Sequence, residues 1–119
     1  MIYTREILRG LRCPLEYQDN LDRLLIAANK LRTIWAKPMI VTSGFRTVVH
    51  NTAIGGAKNS AHLYCMAIDV ADPNGELDAW LDKNPELLEK CGLWKEHSDA
   101  TPGWCHVDIR ERVNRIFKP

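Results

Sequence analysis

The sequence predicts an α+β fold: a small, mainly antiparallel sheet with helices packed on one face. Three patterns carry that prediction. From about Asn20 to Ala36, the residues Leu21, Leu24, Leu25, Ala28, Leu31 and Trp35 recur at helical spacing. Segments 66–71 and 104–109 alternate with the period of a strand, so each has one apolar face and one polar face. A further helical stretch, interrupted near Pro85, reaches about Lys90.

The elements follow in order. Residues 1–19 are mixed in character, and Pro14 with the Tyr-Gln-Asp-Asn cluster marks a turn. Asp19 or Asn20 caps the first helix and Pro38 closes it. Met39 to Thr42 is a short apolar strand that delivers the chain into a long, glycine-containing loop. The second strand runs from about Met66 to Ala71 and ends in the turn Asp72-Pro73-Asn74-Gly75. Leu77, Trp80, Leu81, Leu87 and Leu88 are the apolar residues of the next helical stretch, and Gly92 terminates it. Leu93 to Glu96, a polar loop with Pro102-Gly103, and the strand from Trp104 to Ile109 follow. The tail from Arg110 is basic and wraps the surface.

A chain of 119 residues is long enough for one core and too short for two, so residues 1–119 read as a single domain. The net charge of +1 gives no global case for nucleic acid or an anionic membrane, and no basic stripe or aromatic platform suggests either. No apolar run reaches the roughly 18 residues of a membrane span, which excludes membrane insertion by a helix. The N-terminus lacks the apolar centre of a signal peptide, so the expectation is cytoplasmic synthesis without an export signal. Cys13, Cys65, Cys91 and Cys105 fit no metal-binding spacing and are expected as buried free thiols.

The chemistry gathers between Ser43 and Asp72 and on the last strand. Asp69 lies on the polar face of the second strand and His106 on that of the last, with Cys105, Val107 and Ile109 opposite. If these strands are near neighbours, the loop residue His62 can join them. Two imidazoles and a carboxylate suit a catalytic zinc ion, because three protein ligands leave a fourth tetrahedral position for water. Each of the three, taken singly, also reads as a hydrogen-bonded structural residue.

A resemblance adds to this reading. Ser60-Ala-His62 through Ala67-Ile68-Asp69 resembles the Ser-x-His-x-x-Gly-x-Ala-x-Asp signature of the zinc D-Ala-D-Ala carboxypeptidase and L-alanyl-D-glutamate endopeptidase family. That family of peptidoglycan peptidases is related to the hedgehog signalling domain. Ser43-Gly44-Phe45-Arg46 is similar to its Ser-Gly-Tyr-Arg element. Asn51 with Gly55-Gly56-Ala57 resembles a segment common between the two, and Trp104-Cys-His106-Val-Asp108 resembles the closing strand. The resemblance implies a hedgehog/DD-peptidase-like fold, Zn2+ as cofactor and His62, Asp69 and His106 as its ligands. It implies that Arg46 binds a substrate carboxylate or the polarised carbonyl, with Asn51 and Ser60 as further substrate contacts. For Ser60, support of the loop is an equal reading.

The general base is expected at Glu96. Leu93-Trp94-Lys95-Glu96 resembles an aromatic-x-Glu strand end of the hedgehog-like branch, followed here by a longer loop. A solvated surface carboxylate is the alternative for Glu96, and Asp99 and Asp108 are lesser candidates. Cys65 stands where the signature has glycine, so either the backbone tolerates a side chain there or the thiol lies near the metal. Trp104 stands where many relatives have a second histidine. His50 and His97 match no motif and are expected to be exposed.

The implied function is zinc-dependent hydrolysis of a peptide bond in a peptidoglycan stem peptide, as carboxypeptidase or endopeptidase, by a monomer. The short format resembles phage-type members, which implies an endolysin reaching the cell wall by phage-assisted release. The rival expectation is a non-catalytic, zinc-containing wall-binding or phage structural module on the same fold.

Overall fold

The computed structural model describes residues 1–119 as an α+β molecule. A five-stranded sheet has the order β1-β2-β4-β3-β5. Its strands are β1 (Val41–Ser43), β2 (Ala67–Ala71), β3 (Trp94–Glu96), β4 (Trp104–Asp108) and β5 (Ile116–Phe117). Every pairing is antiparallel except β3 with β5. The helices are α1 (Thr4–Leu8), α2 (Gln18–Trp35), α3 (Val48–Ala53), α4 (Glu76–Lys83) and α5 (Pro85–Cys91). None of them is long and apolar enough to cross a membrane.

The core forms where the apolar faces meet. Leu21, Leu24, Ala28 and Leu31 of α2 are buried with Leu77, Leu81 and Leu88 of the later helices and Ile68, Val70, Cys105 and Val107 of the sheet. Each fully buried leucine stabilises the fold by about 1.5–3 kcal/mol relative to exposure. The strand alternation read from the sequence holds: Cys105, Val107 and Ile109 are buried in this core, and His106 and Asp108 take the other face. All four cysteines are free and buried, as expected.

Several local expectations are corrected. The N-terminal stretch contains α1, whose Ile7 is fully buried. Neither Asp19 nor Asn20 caps α2. A 3-10 turn at Leu15–Tyr17 runs straight into that helix, and the Asn20 amide donates to Tyr64 O instead. The long loop carries α3 and a second 3-10 turn at Ala61–Tyr64. The basic tail adds β5 to the sheet edge. The turn before α4 does more than reverse the chain, since the buried Asp72 carboxylate accepts from Leu77 N (3.0 Å) and Asp78 N (2.9 Å) and caps that helix.

Gly44 shows how the first helix reaches the loop. Phe45 N donates to Ile7 O at 2.9 Å. A Cβ on Gly44 would lie 2.3 Å from that same oxygen, so only glycine allows the approach.

Candidate metal centre

The β2–β4 register sets Asp69 directly opposite His106. His62 enters from the 3-10 turn, which Ser60 caps by accepting from His62 N at 3.2 Å. One donor atom from each of His62, Asp69 and His106 lies within 4.8 Å of the others, and all three residues are buried.

Each donor is aimed by a partner behind it. His62 Nδ1 is 2.6 Å from Gly44 O, a bond that needs the proton on Nδ1 and turns Nε2 toward the other two residues. That Nε2 is buried, has no hydrogen-bond partner and lies 3.3 Å from Asp69 Oδ2. His106 turns Nδ1 to Asp69 Oδ1 (2.8 Å) and Nε2 to Asp108 Oδ2 (2.7 Å). Burial opposes the charged imidazolium, but the hydrogen bonds to Asp108 and Asp69 outweigh it and push the His106 pKa up to about 9. For Asp69, burial works to raise the pKa. The hydrogen bond from His106, the 3.3 Å approach of His62 Nε2 (close, though not aligned as a hydrogen bond) and the charge of both imidazoles prevail and hold it below the usual carboxylate range.

Arg46 is locked beside this cluster. Its Nε donates to Ser43 Oγ (3.1 Å), one terminal nitrogen to Asn51 Oδ1 (3.2 Å) and the other to Asp69 Oδ2 (3.3 Å). Asn51 is buried, and its amide nitrogen donates to Ala57 O at 2.9 Å. Both ends of Asn51 are therefore engaged by the protein, which places it as a support for Arg46 rather than on the groove wall. The motif glycine has a reason here: a Cβ on Gly56 would sit 2.1 Å from Asn51 Oδ1.

The cluster opens into a groove of about 530 Å³ whose walls include Arg46, Ser60, Glu96, Trp104, Arg110 and Phe117. Glu96, at the end of β3, brings Oε2 to 3.9 Å from His106 Nδ1. Burial raises its pKa. His106 and His62 pull it down, Asp69 and Asp108 add to the rise, and the balance is upward. Asp99 is 94% exposed and outside the groove, and Asp108 is held behind His106. His50 is exposed, and His97 faces Asp99. Cys65 resolves the glycine departure: its φ is 59°, the left-handed region where glycine is favoured, and its side chain is fully buried in the apolar core.

Two parts of this arrangement were not anticipated. Asp108 supports His106, a role readable in retrospect from their spacing of two on one strand face. Lys95, to which the sequence reading gave no role, is fully buried and pairs with Asp78 (2.9 Å) and Asp82 (3.2 Å) on the opposite side of β3.

The donor set fits Zn2+: two imidazole nitrogens and a carboxylate suit a tetrahedral, borderline-soft ion, and the partnerless His62 Nε2 is a buried valence that a metal would satisfy. A family model described as Peptidase M15 matches residues 4–108. Among curated proteins, a zinc D-Ala-D-Ala carboxypeptidase of Streptomyces albus G is 42% identical over 53 residues, covering 36% of this chain. That match spans only 21% of the relative's own length.

Proposed function

The chain belongs to the peptidase M15 family, and on that premise we propose that it hydrolyses a peptide bond in the stem peptides of bacterial peptidoglycan. The observation that carries the reading is the buried His62 Nε2, partnerless and aimed at Asp69 and His106 at the floor of an open groove. His62, Asp69 and His106 are the proposed ligands. A zinc ion held by them supplies Lewis acidity toward the scissile carbonyl and an activated water near neutral pH.

The chain's own residues do the rest. Glu96 sits at the groove wall with its pKa raised by burial, which brings its basicity closer to the operating pH. It takes a proton from the attacking water and returns it to the leaving amine. Arg46, anchored on Ser43 and Asn51, presents a guanidinium of fixed orientation to a substrate carboxylate or to the carbonyl oxygen as charge grows there. Ser60 caps the turn that carries His62 and lines the same groove, so it supports the site from its edge. Trp104 offers an apolar wall where a second imidazole would otherwise stand.

Digestion of purified cell walls followed by mass analysis of the released muropeptides tests this. The expected result is zinc-dependent appearance of new peptide termini, whose masses identify the bond cut. Walls left intact by a zinc-loaded protein that still sediments with them would point to a wall-binding module.

A further inference from the structure

The family match stops at residue 108, but the following segment is built into the site. Arg112 extends its guanidinium back to Asp108 Oδ1, which also accepts from Arg110 N at 3.2 Å. The other oxygen of the same carboxylate holds His106 Nε2 at 2.7 Å. The Arg112 guanidinium lies 3.5 Å over the Phe117 ring, and that ring meets the His106 imidazole edge-on with centroids 6.0 Å apart. Arg112, Asp108, His106 and Phe117 thus form a closed ring of contacts around one imidazole. The backbone fixes it in place: Trp94 Nε1 donates to Arg112 O (3.0 Å), Lys95 N to Arg115 O (2.9 Å) and His97 N to Phe117 O (2.7 Å).

We propose that residues 110–118 form a working wall of the metal centre, with Arg112 as a positioning residue that acts through Asp108 to fix the His106 ring. Asp108 has no solvent exposure, so its two oxygens depend on protein partners alone. Arg112 is one such partner. Without it the carboxylate loses the contact that holds its orientation and can turn, His106 Nε2 loses its acceptor, and the ring is free to swing Nδ1 away from Asp69. Arginine suits the task because one planar group both pairs with the carboxylate and stacks on Phe117. The inference rests on His62, Asp69 and His106 being the metal ligands.

The test is zinc affinity of the full chain, measured by competition with a chromophoric chelator, alongside a folding check by circular dichroism. Loss of such supporting contacts lowers metal affinity by about 10- to 100-fold, and Arg112→Gln is expected near the lower end. Arg115→Gln is the comparison variant. It removes contacts of the same segment with Leu93 O and Trp94 but none with Asp108, and should stay within about twofold of the wild type. Asp108→Asn should weaken binding at least as much as Arg112→Gln, and the double variant should lose no more than Asp108→Asn alone. Unchanged affinity in Arg112→Gln, an equal loss in Arg115→Gln, or additive losses in the double variant would each overturn the proposal. A wild type that binds no zinc would remove the ligand reading itself, and the inference with it.

Discussion

On one face of β3 and β4, Glu96 and His106 point into the groove; on the other, Lys95 and Cys105 point into the packed interior. Both faces bury ionisable groups, but they are finished differently. The Lys95 ammonium has oxygen partners on every side: Asp78 (2.9 Å), Asp82 (3.2 Å), Ser98 Oγ (3.1 Å) and Glu96 O (2.9 Å). Thr101 Oγ1 completes Asp78 at 3.1 Å, and Ser98 Oγ donates to Asp82 at 2.6 Å. One buried atom in each cluster lacks a hydrogen bond, Asp78 Oδ1 and His62 Nε2. Asp78 Oδ1 still faces the Lys95 ammonium at 2.9 Å, whereas His62 Nε2 faces only a carboxylate that Arg46 and His106 share. Burial of charge is common to both clusters, so it does not mark function. The unfilled valence beside a groove does.

The sharpest way to break this contrast is to remove charge from each face in turn. Glu96→Gln keeps shape and should keep zinc and fold, while wall-peptide hydrolysis falls by about 10²–10⁴-fold. The fully exposed alternative, Asp99→Asn, should hydrolyse at the wild-type rate. Equal rates for Glu96→Gln and the wild type would take the base away from β3.

Lys95→Met should do the reverse. Leaving Asp78 buried without its cation costs about 3–5 kcal/mol, read as a shift in the urea midpoint at unchanged slope. Zinc stoichiometry should survive, because the ammonium faces away from His62, Asp69 and His106, the proposed ligands. A variant as stable as the wild type would mean that the inner cluster is not the structural one.

Much of the groove face was legible in the sequence because alternation over five-residue strands fixes which side Asp69 and His106 take. The inner face was not. β3 has three residues, too few for its alternation to show that Lys95 points inward and Glu96 outward. α1 and α3 are short and lie in mixed sequence without a repeating apolar stripe, so their helicity depends on tertiary contacts. The place of Arg112 depends on β5 pairing with β3, a long-range event with no local signal.

pH separates the two faces further. Burial works against the Lys95 ammonium, but the hydrogen bond and charge of Asp78 outweigh it, so its pKa is raised above 10.5. The folded state therefore favours the charged form. Its contribution is complete below pH 10.5 and is lost as pH rises through the higher folded value. The stability gap between wild type and Lys95→Met should stay constant from neutral pH to about 10 and narrow beyond. A gap already closing at about pH 8 would contradict this pairing.

A smaller effect is expected at the edge of the groove. Gly56→Ala forces Asn51 Oδ1 to move, which frees one anchor of Arg46. Loss of one such hydrogen bond to a charged group amounts to about 1.5–3 kcal/mol. It should appear as a raised KM for wall peptides with zinc content unchanged. An unaltered KM would separate Arg46 from substrate binding.

The most direct measurement is zinc per chain, by elemental analysis, in the wild type, His62→Ala and Lys95→Met. The account predicts about one zinc in the wild type and in Lys95→Met, and near none in His62→Ala, because the partnerless Nε2 is the valence the ion fills. Full zinc in His62→Ala, or its loss from Lys95→Met with the fold intact, would contradict the assignment of the open face as the metal centre.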